Sequence, residues 1–173
     1  MTKEVSSIEN EKLAELFRKY SDDVFRLAFS YAGSRPDAED IVQSVFLKLA
    51  EGRRGPEPGK EKAWLLTCAA NACKNHLRSF WHRNVGELDE SVVLQDREDW
   101  ALYAAVMALP PKYRAVVHLY YYEGYDQGEI GEILHISRTA VQTRMSRGRN
   151  MLKKELSDDE SQLPAYDGAS EHG

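Results

Sequence analysis

Apolar residues recur at helical spacing through nearly every ordered stretch of the chain, and no segment sustains the period-two alternation of a half-buried strand. The first stripe, Leu13, Leu16, Phe17, Tyr20, Val24, Leu27, Ala28 and Tyr31, predicts a helix broken at Gly33 and the Arg35-Pro36 step. A second stripe, Ala38, Ile41, Val42, Val45, Phe46 and Leu49, begins behind Pro36 and Asp37. The fixed φ of proline suits a helix first turn, and an acid there is attracted to the helix's positive end. Gly and Pro crowd the stretch 52–59, GRRGPEPG, and predict a loop. A third helix, about 61–82, is expected to bury Leu66, Ala70, Cys73, Leu77 and Phe80. Three helices of this size make a small bundle over 8–83.

The next stretch, 84–97, is acidic, short of aromatics and without sustained periodicity, and reads as a flexible linker. Helical spacing returns from Trp100 to Ala108, and Leu109-Pro110-Pro111 leads into a helix of about 111–122 that ends at Gly124. Two helices follow, roughly 126–134 and 137–155, separated only by His135 and Ile136. So tight a break between short helices is the signature of a helix-turn-helix. It assigns 98–156 to a second domain and leaves 157–173 as an acidic, disordered tail. The expected fold is all-α: two small helical domains on a flexible acidic linker, the C-terminal one containing a helix-turn-helix.

Composition narrows the class. No window approaches the roughly 18 uninterrupted apolar residues of a membrane span, and the start, MTKEVSSIENEK, lacks the apolar stretch of a secretion signal. Two cysteines cannot build a disulfide framework, which favours a reducing, cytoplasmic setting. A net charge of −5 argues at first against nucleic acid as a partner. Its distribution reverses that inference. Residues 155–173 hold six acids and no base, and 84–99 are net −5, whereas 60–83 are net +4 and 137–154 are net +6. The acids lie in connectors and the bases on helices, and net charge says nothing of that placement.

Wound at about 100° per residue, 137–153 puts Val141, Met145, Gly148 and Leu152 on one face. The opposite face carries Thr139, Gln142, Thr143, Ser146 and Asn150, with Arg138 and Arg149 along one edge and Arg144 and Arg147 along the other. Amides and hydroxyls can read base edges in the major groove while guanidiniums neutralise the flanking phosphates. Ser137 is placed to cap the helix. A charge run more often marks a merely solvated face; six bases without an acid, directly behind a two-residue turn, weigh against that here. On the third helix, Trp64, Asn71, Asn75, Arg78 and His82 share a strip edged by Thr67 and Lys74, with Arg83 just beyond. Aromatics, amides and cations together suit single-stranded DNA, which is held by stacking and by backbone neutralisation. Taken alone, such a strip is more often just solvated.

Catalytic and metal readings find no support. There is no Gly-rich phosphate loop, no HExxH and no GxSxG. Cys68 and Cys73 lie about 140° apart on one helix, so they do not converge on a metal. No cofactor, metal site or catalytic residue is expected.

The stretch 109–156, LPPKYRAVVHLYYYEGYDQGEIGEILHISRTAVQTRMSRGRNMLKKEL, resembles the −35-binding domain of sigma-70-family transcription initiation factors. The resemblance rests on Leu109-Pro110, Tyr113-Arg114, Tyr121-Tyr122-Glu123-Gly124, Glu129-Ile130, Ile133-Leu134, Ile136-Ser137, Val141, Arg144, Ser146-Arg147 and Leu152. Gly131 stands where the family usually has Ala, a second small residue, and His135 replaces the usual turn glycine. The segment 63–83 is similar to the part by which these factors grip the −10 element, through Trp64-Leu65, Asn71, Leu77 and Arg78. Ala70 lacks the family's frequent Arg, and Asn75 replaces a common Asp. The segment 38–49 resembles the helix that binds core polymerase, with Asp40, Gln43, Phe46 and Leu47 at matching positions.

The minimal two-domain layout is similar to the extracytoplasmic-function (ECF) subfamily. The resemblance implies a cytoplasmic, non-enzymatic initiation factor that binds core RNA polymerase and directs it to promoters. In that role it would take the −10 element single-stranded and the −35 element as duplex, under the control of an anti-sigma factor. The alternative is a stand-alone helix-turn-helix regulator whose N-terminal bundle is an interaction domain.

Overall fold

Seven helices and no strand occur among residues 2–52, 55–80 and 97–161, which are those described by the structure, a computed structural model. Helix α1 (Thr2–Ala32) ends where Gly33 takes a φ of +68°, a left-handed conformation open to glycine at little cost. Helix α2 (Arg35–Ala50) starts as its Pro and Asp predict. Pro36 sits in the first turn, where no N–H is needed, and the Ser34 hydroxyl accepts the Asp37 N–H. Both pack on α3 (Glu61–Phe80), so that Val24, Leu27, Ile41, Val45, Leu66 and Cys73 interlock in the core. Phe17 departs from its stripe. It is 47% exposed and meets Phe46 edge-on, because α1's apolar stripe is wider than the face α2 and α3 cover.

The element boundaries shift at three places. The described part of α3 stops at Phe80, so His82, Arg83 and linker residues 84–96 lie outside the described residues. Residue 97 of the expected linker instead opens α4 (Arg97–Ala108). The last helix, α7 (Arg138–Ser161), runs past 155 because nothing there breaks it: no Gly or Pro occurs between Gly148 and Pro164. Residues 162–173 of the expected tail lie outside the described residues.

Helix α5 (Pro111–Val117) continues into one π-helical turn, His118–Tyr122, and Gly124 at φ +75° redirects the chain. Asp126 then starts α6 (Gln127–Leu134) with a capping box. Its carboxylate accepts the Gly128 and Glu129 N–H groups at 2.7 and 2.9 Å, and Glu129 accepts the Asp126 N–H at 2.8 Å. The turn to α7 is made by His135 in the left-handed region, φ 53° and ψ 49°, a conformation His tolerates better than most residues. The resulting corner is so tight that a Cβ on Gly131 would stand 2.8 Å from the Ile136 carbonyl oxygen. Gly131 is therefore not interchangeable with Ala, although residue size alone implies that it is. Gly131→Ala should cost about 2 kcal/mol in urea denaturation, the overlap outweighing the ~1 kcal/mol gained in helix propensity. A midpoint at or above wild type would mean the corner yields.

The two halves of the chain share a core. Helix α5 lies against α1 and α6 against α3, and Val116, Leu119, Ile130 and Leu134 join the same apolar cluster as Leu27 and Leu66. Each half also offers a cation to the C-terminal end of a helix in the other, where unpaired carbonyls and the helix dipole favour positive charge. Arg114, buried beside Gly33, points its guanidinium at the Tyr31 carbonyl of α1, 3.5 Å away, and Lys74 donates to the Leu134 carbonyl of α6. Burial pulls Arg114 down to about 10.

Candidate nucleic-acid interface

Helix α7 is seated by its apolar face. Val141, Met145 and Gly148 are buried, and Leu152 packs on Leu109, Tyr113 and Val117. Thr139, Gln142, Thr143, Ser146 and Asn150 are therefore all exposed along one strip. The Ser137 hydroxyl accepts the Ala140 N–H at 3.1 Å and caps the helix.

The four arginines along the strip have different surroundings. Arg138 is exposed at the first turn. Arg149 donates to the Tyr121 hydroxyl at 2.8 Å and lies over the Tyr120 and Tyr121 rings, a tether absent from any reading of α7 by itself. Arg147 hydrogen-bonds the Tyr113 hydroxyl and, with Lys112, holds that phenol below its usual range. Arg144 is half-buried, because its place on the wheel adjoins the apolar face. It faces the N-terminal helices and does not flank the strip in this arrangement: burial first, and then its charge, depress the Lys74 ammonium.

On α3, Asn75 and Arg78 are exposed, while Trp64 and Asn71 are half-buried and Trp64 packs against the core. Lys74 is turned from the strip's edge toward α6 by its bond to Leu134. Asn71 and Asn75 line an open groove with Cys68 and, across from them, Ser44 and Lys48 of α2 and Glu51, which caps its C-terminal end. These α2 residues have no signal in the sequence, because helical spacing orders one helix and says nothing of which neighbour faces it.

One ionic cluster joins the halves. Glu123, its side chain 2% exposed, meets Lys62 of α3 at 2.7 Å, His118 at 3.3 Å and Arg26 of α1 at 3.8 Å. Asp23 also pairs with Arg26 and, at 3.3 Å, with Lys62. Burial alone would raise the Glu123 carboxyl, yet the hydrogen bonds and charges of His118 and Lys62 prevail and hold it at about 2. Among the described residues, no cluster of three His, Cys, Asp or Glu could hold a metal, and no helix is long and apolar enough to cross a membrane.

Two family patterns match the chain: Sigma-70 region 2 matches residues 16–83 and Sigma-70, region 4 matches residues 99–152. The RNA polymerase sigma factor CarQ of Myxococcus xanthus is 33% identical over 131 residues, covering 70% of this chain and 75% of that protein. The chain belongs to the sigma-70 family. Its ECF character follows from similarity to the ECF RNA polymerase sigma factor SigE of Mycolicibacterium smegmatis, 30% identical over 161 residues. That alignment covers 86% of this chain but 63% of SigE, so the chain spans less than two thirds of that relative. The fold is that of the sigma factor RpoE from Bartonella quintana, solved with the anti-sigma factor NepR. The TM-score is 0.69 at 21% identity, over 86% of this chain and 99% of that one. Sigma factors are transcription initiation factors that carry out no chemistry of their own.

In this sigma factor the core-polymerase candidates fall on α2 with unequal exposure. Asp40, Gln43 and Leu47 are exposed, Leu47 at 60%, whereas Phe46 is buried at 7%. Gln43, Phe46 and Leu47 line an open, mainly apolar groove with Leu13, Ala14 and Phe17 of α1; Phe46 forms its floor. The Phe17 that breaks its stripe is thus one wall of that groove.

Proposed function

We propose that this sigma factor binds core RNA polymerase through the α1/α2 groove and directs it to promoters, acting in the cytoplasm without catalysis. Its domains in this reading are 8–83, a linker shortened to 84–96, a C-terminal domain that runs from Arg97 to Ser161, and a tail over 162–173. The observation that carries the reading is α7: a helix with a buried apolar face and an exposed strip of amides and hydroxyls between arginines, set behind a two-residue turn. Gln142, Thr139, Thr143 and Ser146 read the −35 duplex, with Arg138, Arg144, Arg147 and Arg149 on its phosphates. Trp64, Asn71, Lys74, Asn75, Arg78, His82 and Arg83 take the melted −10 strand. An anti-sigma factor is the natural antagonist of such a surface, and RpoE of Bartonella supports that reading by having one.

Engaging both elements requires the halves to part. Elements named for positions about 25 base pairs apart lie about 85 Å apart on B-DNA at about 3.4 Å per base pair. A compact chain of this length is only roughly 40 Å across. The closed arrangement is therefore a resting form, and Lys74 and Arg144, which face each other across it, become available to DNA on opening.

Transcription from a genomic promoter library by core polymerase plus this protein tests the function; no initiation at any promoter would refute it. Arg147→Ala should weaken −35 binding by about 1 kcal/mol across sequences and lower the salt slope by about one. A loss confined to one sequence would place Arg147 among the base readers instead.

A further inference from the structure

Gln127, at the start of α6, carries no role in the reading above, yet it makes a side-chain contact with the reading strip. The Gln142 Nε2 donates to the Gln127 Oε1 at 3.1 Å, joining the first residue of α6 to the middle of the exposed face of α7. The contact is set by the fold around it. The close corner at Gly131 and His135 fixes how α6 crosses α7, and the capping box holds the first turn of α6 in place.

The bond has a chemical consequence. A free glutamine amide rotates and flips, presenting its oxygen and nitrogen in either order. With one N–H of Gln142 committed to Gln127, its Oε1 and its second N–H are left side by side in a defined order. An acceptor beside a donor is what the major-groove edge of adenine takes, through N6–H and N7. The backbone donors of α6 add nothing in competition, because the Gly128 and Glu129 N–H groups are already taken by Asp126.

We propose that Gln127 is a positioning residue for promoter specificity: it orients the Gln142 amide so that α7 selects an A·T pair at one position of the −35 duplex. This rests on the assignment of α7 as the recognition helix, and the test separates the two. The full chain is reconstituted on core polymerase and used to select from duplexes randomised across the −35 region. The readout is base preference at each position, for wild type, Gln127→Ala, Gln142→Ala, the double variant and Gln127→Glu.

Wild type should prefer A·T at one position. Gln127→Ala and Gln142→Ala should each flatten that same preference, Gln142→Ala by about tenfold, and the double variant should be no flatter than Gln142→Ala. Gln127→Glu keeps the accepting oxygen and should keep the A·T preference while weakening overall binding at low salt. The proposal is overturned, with α7 still the reader, if Gln127→Ala leaves the position affected by Gln142→Ala unchanged, or if the double variant's effects add. If wild type enriches no −35 sequence, or Gln142→Ala alters none, the recognition-helix reading itself fails and the proposal with it.

Discussion

Leu47→Asp should cut the affinity of this sigma factor for core polymerase by about a hundredfold while leaving its folding and its −35 preference intact. Leu47 is 60% exposed on α2, on the rim of an apolar groove whose floor is Phe46 and whose far wall is Phe17, itself 47% exposed. Two large apolar side chains left in water on adjoining helices represent unspent burial energy, which association with a partner recovers. A carboxylate on such a surface forfeits the side-chain burial and must be desolvated against apolar walls. Losses above about 2 kcal/mol are typical when a large apolar contact is replaced by an unpaired charge in a desolvated interface. Competition for core polymerase against a labelled wild-type chain measures the effect, with urea denaturation as the folding control. Affinity within threefold of wild type, in a normally folded variant, would remove the groove from the docking surface.

Glu123→Ala should open the closed arrangement. The carboxylate sits at a three-way junction, held by Lys62 of α3 at 2.7 Å and by His118 at 3.3 Å, with Arg26 of α1 at 3.8 Å. Removing one member of a buried ionic group costs about 3–5 kcal/mol, because the partners keep their charge without compensation. Here Lys62 and Arg26 retain Asp23 and are themselves about one-third exposed, which places the loss near the low end, about 3 kcal/mol. Solution scattering should record a larger radius of gyration for the variant at neutral pH. An unchanged radius together with an unchanged denaturation midpoint would mean that the cluster contributes nothing to closure.

Wild type should show the same opening in acid. Glu123 is held at about 2 in the folded chain, whereas an unperturbed glutamate titrates near about 4.3. A depressed carboxyl stabilises the folded form fully above its free value and loses that contribution as pH falls through the folded value. Closure should therefore weaken between about pH 4.5 and 2 in wild type, and Glu123→Ala should flatten the profile in that window.

Much of the architecture was legible along the chain because helices are local. The stripes place Leu27, Ile41, Val45, Leu66, Cys73, Val141 and Met145 in the core, where they are found, and Pro36, Ser137 and His135 mark the ends of helices that do begin and stop there. The exposed strip of α7 was equally readable, since one helix with a buried apolar face determines its opposite face.

Contacts between helices were not legible. Periodicity orders residues around one axis and is silent on the neighbour that each face meets. It therefore could not separate Phe46, buried at the floor of a groove, from Leu47 on its rim, nor bring Lys48 opposite Asn71. Nor could it turn Lys74 from a DNA-facing cation into a cap on α6, or pair Gln127 with Gln142. Gly131 makes the same point at atomic scale: its identity reads as a choice between small residues until the Ile136 carbonyl is placed 2.8 Å from where a methyl would stand. The sequence by itself determined the helices and their inward faces, because those depend on spacing within about four residues. Only the tertiary structure decided that the two halves close on one another around Glu123, because that depends on charges and carbonyls far apart in the chain meeting in space.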